Sequence, residues 1–217
     1  MHTIHVDAIL FDMDGTLIDS TAGINGAWEV FRETYPFIDL DKVLRASHGV
    51  RTVDNLRIHC RLVDPVEIEK EAKRFESIII PSSTLNGRRG IILLPGVVEL
   101  MEELAPVRAL PRPLWAIVTS ATREYADVAV VAAKLPIPDV FVRSDDVARG
   151  KPFPDPYLLG AEKCGVKPEN CVVFEDAPPG VLSGKAAGCK TIGLLTTHSL
   201  EAVKAAQPDF IIRDLSR

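Results

Sequence analysis

The chain has 217 residues, of which 47% are apolar, and a net charge of −5; that is enough for one large domain or a core domain carrying a smaller insert. A pI near 5.6 and no basic cluster beyond Arg88-Arg89 argue against a nucleic-acid-binding surface. No apolar run approaches the roughly 20 residues of a membrane span, and the opening MHTIHVDAIL lacks a basic region or long apolar segment, so no membrane contact and a cytoplasmic location are expected.

In chain order, the first predicted element is a strand over residues 6–11. Four helical segments follow without an intervening strand, at 20–34, 41–46, 52–62 and 65–78. A regular alternation then sets in: helix 96–104, strand 114–119, helix 122–135, strand 140–142, helix 155–164, strand 171–174, helix 178–187, strand 191–195, helix 199–206 and strand 209–212. Crossovers of this length imply a Rossmann-like α/β core, a parallel sheet covered on both faces in three layers. Residues 18–86 break the rhythm and read as an inserted α-helical cap, with 1–17 and 87–217 forming the core. Its two connections fall near 18–20 and 82–90. Pro81, Ser82, Ser83, Gly87 and Gly90 give the second a composition suited to a hinge. Cys60, Cys164, Cys171 and Cys189 show no CxxC pair and read as buried reduced thiols.

Four loops after predicted strands carry the unusual residues. In FDMDGT (Phe11–Thr16), Asp12 and Asp14 are two apart and, at a strand end, their side chains point the same way. One carboxylate suits a nucleophile and the other a general acid/base, with a hard cation between them. A turn with two solvated acids is the plain alternative; a calcium loop is not continued by Leu17, Ile18 and Ser20. In Val118-Thr-Ser-Ala-Thr122, Thr119 and Ser120 precede a helix, forming either an anion site or an ordinary N-cap. Lys151 lies between Gly150 and Pro152, where it serves to neutralise a phosphoryl group or is a solvated loop lysine. Glu175 and Asp176 end the strand 171–174, either completing a second acid pair or complementing a helix dipole. Asp12, Asp14 and Asp176 together offer the oxygen ligands that Mg²⁺ prefers.

The ordered set DMDGT, VTS, GKP and FED resembles the haloacid dehalogenase superfamily of phosphohydrolases, over essentially the whole chain and in the form that carries a helical cap after the first motif. SHGVRT (Ser47–Thr52), GKPFPDPYL (Gly150–Leu158) and FEDAPPGVLSGKAAG (Phe174–Gly188) further resemble fungal glycerol-3-phosphate phosphatases and 2-deoxyglucose-6-phosphate phosphatases. The resemblance implies that Asp12 attacks phosphorus to form an aspartyl-phosphate, and that Asp14 protonates the leaving alkoxide and then activates water. It implies that Thr119, Lys151 and the Ser120 backbone hold the phosphoryl oxygens. Mg²⁺ would be bound by Asp12, the Asp14 carbonyl and Asp176, with Glu175 a ligand or an acceptor behind them. Two departures from the family pattern are Ala121, where Gly is usual, and Pro179, where Ala or Asn is common.

Within the cap, His48 and Arg51 sit in a loop between two helices, with Gly49 permitting a tight turn. They are candidates for touching substrate; a loop histidine and a solvated arginine are the alternatives. Asp19 and Asn25 are weaker candidates, while Trp28 and Phe31 are expected to pack inside the cap. The reading is a monomeric Mg²⁺-dependent phosphatase for a small phosphorylated metabolite, of the glycerol 3-phosphate or 2-deoxy-sugar 6-phosphate type. Its competitors are a β-phosphoglucomutase-like sugar phosphomutase, a non-enzymatic phosphate-ligand-binding protein and, less favoured, a dehalogenase, which has no use for Asp14.

Overall fold

The computed structural model describes residues 3–106 and 110–216, so the outer ends of the expected core segments, residues 1 and 217, lie outside the described residues. In chain order, β1 (Ala8–Phe11) and β2 (Ile18–Asp19) precede α1 (Thr21–Thr34), α2 (Leu40–Ala46), α3 (Thr52–His59) and α4 (Pro65–Thr84). There follow β3 (Ile92–Leu93), α5 (Val97–Leu104), β4 (Trp115–Val118), α6 (Arg123–Ala132) and β5 (Val140–Val142). The chain continues through α7 (Asp155–Lys163), β6 (Cys171–Glu175), α8 (Pro178–Ala186), β7 (Lys190–Leu194), α9 (Leu200–Ala205) and β8 (Phe210–Ile212).

Among the described residues, six strands form one sheet in the order β5-β4-β1-β6-β7-β8, with every neighbouring pair parallel. Alternate residues of the inner strands serve opposite layers. Leu10, Ala116 and Val118 pack with Tyr157 and Ala161 of α7, whereas Phe11 and Ile117 join Met101 of α5 and Ala126 of α6. The chain adds β4 and β5 on one side of β1 and then crosses to build β6, β7 and β8 on the other. The crevice at the carboxyl ends of β4, β1 and β6 is therefore the topological switch point, where open α/β sheets bind ligands.

The cap packs around α1 and α4. Trp28, Phe31 and Phe75 are buried with ring centroids 4.6 Å (Trp28–Phe75) and 5.0 Å (Phe31–Phe75) apart, as expected for Trp28 and Phe31. Asp64 caps α4 by accepting from Val66 N and Glu67 N, and Pro65 occupies its first turn, where a missing N–H costs nothing. The hinge expected from Pro81 onward is displaced: α4 runs through Pro81, Ser82 and Ser83 and ends at Thr84. Packing overrides the local signal, because Gly23 of α1 lies so close to Ile79 that a Cβ there would stand 2.5 Å from the Ile79 carbonyl oxygen. The break comes instead at Asn86, Gly87 and Gly90, all with positive φ.

One feature escaped the sequence pattern. The two stems joining cap and core pair as an antiparallel ribbon, Ile18 opposite Leu93 and Asp19 opposite Ile92, extended by a Leu94 N–H to Leu17 carbonyl bond of 3.0 Å. Two-residue strands are too short for periodicity to reveal. Cys60, Cys164, Cys171 and Cys189 are free and buried, as expected. No helix among the described residues is long and apolar enough to cross a membrane.

Candidate active site

β1 ends at Phe11, and the next residue, Asp12, is anchored by its N–H to the Phe174 carbonyl of β6 (3.0 Å). Its carboxylate is 4% exposed as a residue and lies 2.6 Å from Lys151 Nζ. Lys151 also donates to the Val118 carbonyl (3.0 Å) and to Glu175 Oε1 (2.6 Å), so the three N–H bonds of its ammonium all have partners. Glu175 in turn accepts from the Tyr157 hydroxyl (2.8 Å) and Ala177 N (3.1 Å). This arrangement places Glu175 behind Lys151, as the residue that orients it. Burial lowers the affinity of Lys151 for its proton, but the Asp12 and Glu175 carboxylates more than offset this and hold the ammonium above its ordinary range.

Asp176 takes the opposite side of Asp12. It accepts from Thr16 Oγ1 (3.3 Å) and from Thr197 Oγ1. Burial first, then the charges of Asp12 and Glu175, push its carboxyl well above the usual carboxylate range. Gly15 makes this approach possible: its φ is +88°, and a Cβ would sit 2.3 Å from Asp176 Oδ2. Carboxylate oxygens of Asp12, Glu175 and Asp176 converge within 4.8 Å of one another, all buried. Three buried carboxylates against one ammonium leave negative charge uncompensated, and a hard divalent cation is the partner such a donor set fits. The Asp14 carboxylate lies outside that cluster.

Asp14 Oδ1 accepts instead from Ser20 Oγ (2.5 Å) and Tyr125 Oη (2.8 Å). Burial is the main cause that pushes its pKa up to about 6; Asp12 adds to the rise, and the Ser20 and Tyr125 hydrogen bonds oppose it. A carboxyl poised there exchanges protons near neutrality, the property a general acid/base needs. Thr119 is buried at the end of β4, with its N–H on the Val142 carbonyl (2.9 Å) and its Oγ1 accepting from Ala121 N (3.1 Å).

The cap closes over this floor. Ser120 Oγ donates to the Gly49 carbonyl (3.1 Å), and Gly49 lies against Ala177, where a Cβ would come within 2.4 Å of the alanine methyl. The loop is held by Asn55 Nδ2, which donates to the Ser47 carbonyl (2.9 Å). The cavity between cap and core has about 70 Å³ of free space, room for a handful of water molecules, and is lined by Asp12, Asp14, His48, Thr119 and Ser120 among others. Burial, then the neighbouring His198, hold His48 below its ordinary pKa. Arg51 does not line the cavity; its Nε pairs with Asp54 (2.8 Å), and its stem covers Gly150.

Thus the structure brings Asp12, Asp14, Thr119, Ser120, Lys151, Glu175, Asp176 and His48 to one crevice and leaves Arg51 at its outer edge. Sequence reasoning missed Tyr125, Tyr157, Thr197 and Glu76. Glu76 of α4 is 4% exposed, lines the cavity, and accepts from Thr52 Oγ1 of the cap (2.6 Å) and Thr122 Oγ1 of the core. A charged residue at a buried position beside Ala72, Phe75 and Ile79 was the available signal. Thr197 follows β7 at the same sheet edge, in a fifth loop that adds a hydroxyl to the site.

Residues 6–188 match the family model described as haloacid dehalogenase-like hydrolase. Hexitol phosphatase A of Escherichia coli is 38% identical over 220 residues, covering 94% of this chain and 97% of that protein. Glycerol-1-phosphate phosphohydrolase 1 of Saccharomyces cerevisiae is 35% identical over 219 residues, covering 98% of this chain and 84% of the yeast protein. Among solved structures, a hydrolase from Pseudomonas syringae superposes with a TM-score of 0.81 at 26% identity, covering 96% of this chain and 93% of the other.

Proposed function

The chain belongs to the haloacid dehalogenase-like hydrolases, and from that premise we propose that it is a phosphatase of small polyol or sugar monophosphates. The observation that carries this reading is Asp12: a buried carboxylate at the switch point, pinned by Lys151, with Asp14 beside it and the capped cavity above. The relatives that act on hexitol and glycerol phosphates support the substrate class. Residues 18–86 serve as the cap, and 1–17 with 87–217 as the catalytic core.

In the first step an Asp12 oxygen attacks phosphorus, the ester P–O bond breaks, and Asp14 delivers its proton to the departing alkoxide. In the second, Asp14 takes a proton from water, whose oxygen attacks phosphorus and releases the Asp12 carboxylate and inorganic phosphate. Thr119 Oγ1 and the Ser120 N–H, at the start of the loop before α6, would hold the phosphoryl oxygens, and Lys151 fixes the rotamer and charge of Asp12. Asp12, Asp176 and the Asp14 carbonyl are the groups that would hold Mg²⁺, with Glu175 behind them; the ion supplies positive charge to the transferring phosphoryl group. Phosphate release from glycerol phosphates, hexitol phosphates, hexose 6-phosphates and 2-deoxyhexose 6-phosphates with Mg²⁺ tests the reading. Hydrolysis of one or more is expected, and no release from any would overturn it.

A further inference from the structure

The cap side of the cavity is chemically unlike its floor. Trp28, Phe75 and Ile79 make it apolar, and Ser47 and Glu76 interrupt it. Among the described residues, the buried side-chain atoms without a hydrogen-bond partner are Trp28 Nε1 and Ser47 Oγ, and both residues line this one cavity. Trp28 is 1% exposed and Ser47 7%. A buried donor left unpaired costs about 1–3 kcal/mol, so two in one small cavity point to a guest that satisfies them. Each oxygen of Glu76 already accepts one threonine hydroxyl and keeps a second lone pair for another donor.

The residues of this wall therefore carry two unpaired donors and an acidic acceptor. Among the described residues no lysine or arginine lines the cavity, and the lowered proton affinity of His48 favours its neutral ring. Neutral hydroxyl groups match this set, because each both accepts from an N–H or O–H and donates to a carboxylate. A phosphate does not match it: a dianion placed against Glu76 is repelled at low dielectric by the ionised form of that carboxyl and meets no lysine or arginine in the lining.

We propose that Trp28, Ser47 and Glu76 form a subsite that binds the hydroxyls of a phosphorylated polyol and that Glu76 excludes a second phosphate, restricting the enzyme to monophosphates. This deepens the phosphatase reading and rests on it. It also separates the chain from a phosphomutase, which must hold a doubly phosphorylated sugar between its two half-reactions.

The test compares kcat/KM for three esters: glycerol 3-phosphate, propyl phosphate (the same carbon chain without hydroxyls) and a hexose 1,6-bisphosphate. The wild type is expected to prefer glycerol 3-phosphate over propyl phosphate by about tenfold or more, the scale of a lost hydrogen bond to a charged group, and to turn over the bisphosphate poorly. Trp28→Phe, which keeps the ring and removes the donor, and Glu76→Gln should each narrow the glycerol-to-propyl ratio, chiefly through KM. Glu76→Gln should also raise the bisphosphate-to-monophosphate ratio. Ratios within one variant cancel any general loss from altered packing, and Trp28→Phe carries the test should Glu76→Gln fold poorly. Hydrolysis by the wild type with ratios unmoved in the variants would overturn the subsite alone. No hydrolysis of these three esters would overturn the subsite, and the phosphatase reading falls with it only if the hexitol, hexose 6- and 2-deoxyhexose 6-phosphates release no phosphate either.

Discussion

The Tyr125 hydroxyl stands 2.8 Å from Asp14 Oδ1, a contact between residues 111 positions apart that links the first turn of α6 to the loop after β1. Tyr125 is 5% exposed and its hydroxyl donates to Asp14, a geometry that suits it to aim the proposed acid/base. Tyr125→Phe should lower kcat about tenfold with little change in KM, as expected when a hydrogen bond to a charged group is removed without touching substrate. Steady-state kinetics read the split; an unchanged kcat would remove Tyr125 from the mechanism.

Asp12→Asn should reduce turnover to background while the protein stays folded. The substitution keeps the shape, removes the nucleophilic charge, and relieves crowding among buried carboxylates. Circular dichroism and phosphate release together check it, and retained turnover would exclude Asp12 as the nucleophile.

Chelation should abolish activity, and returning Mg²⁺ should restore it and raise Tm. A ligand bound only by the folded state at about 100 times its Kd adds about 2.7 kcal/mol of stability. The rise should be smaller in Asp176→Asn, because one of the converging carboxylates is then neutral. A Tm insensitive to Mg²⁺ would count against the metal assignment.

Gly49 contacts Ala177 too closely for any side chain, so Gly49→Val should prop the cap away from the core. We expect kcat/KM to fall by about 100-fold, the scale set by misplacing a bound substrate by about 1 Å, with global stability nearly preserved. An unchanged kcat/KM would show that turnover does not need this contact.

Burial pushes the Glu76 carboxyl up from its usual 4.5 to about 7, against the hydrogen bonds from Thr122 and Thr52. An acid whose folded pKa lies above its unfolded value binds more protons when folded, so its destabilising effect is absent below about 4.5, grows as pH rises, and is complete above about 7. The stability of Glu76→Gln relative to wild type should therefore increase between those limits and be flat outside them. The upper bound is on the order of 3 kcal/mol, at about 1.4 kcal/mol per pKa unit. Urea denaturation at pH 4, 6 and 8 measures it, and a pH-independent difference would contradict the assignment.

The alternation of strands and helices was legible because a doubly covered parallel sheet writes itself as short apolar runs with turn residues at one edge. For the same reason Asp12, Asp14, Lys151 and Asp176 were readable: the aspartates closely follow the ends of β1 and β6, and Lys151 lies in the loop between β5 and α7 at that edge. Tyr125 and Glu76 were not, since each reaches the crevice from a helix whose rotation is set by tertiary packing. Their polar ends are explained only by partners far away in sequence, Asp14 for the one and Thr122 for the other. Pro81 misled for the converse reason, as the close fit of α1 on α4 outweighed a strong local signal.

The ribbon of Ile18–Asp19 with Ile92–Leu93 makes the whole helical lobe an excursion that departs and returns at one point. A lobe attached in that way enters and leaves the core without interrupting the sheet. Its replacement by a lobe of another size, or by a tight turn, should leave the strand order beneath it unaltered, which would let the chemistry of the scaffold and the choice of guest diversify separately.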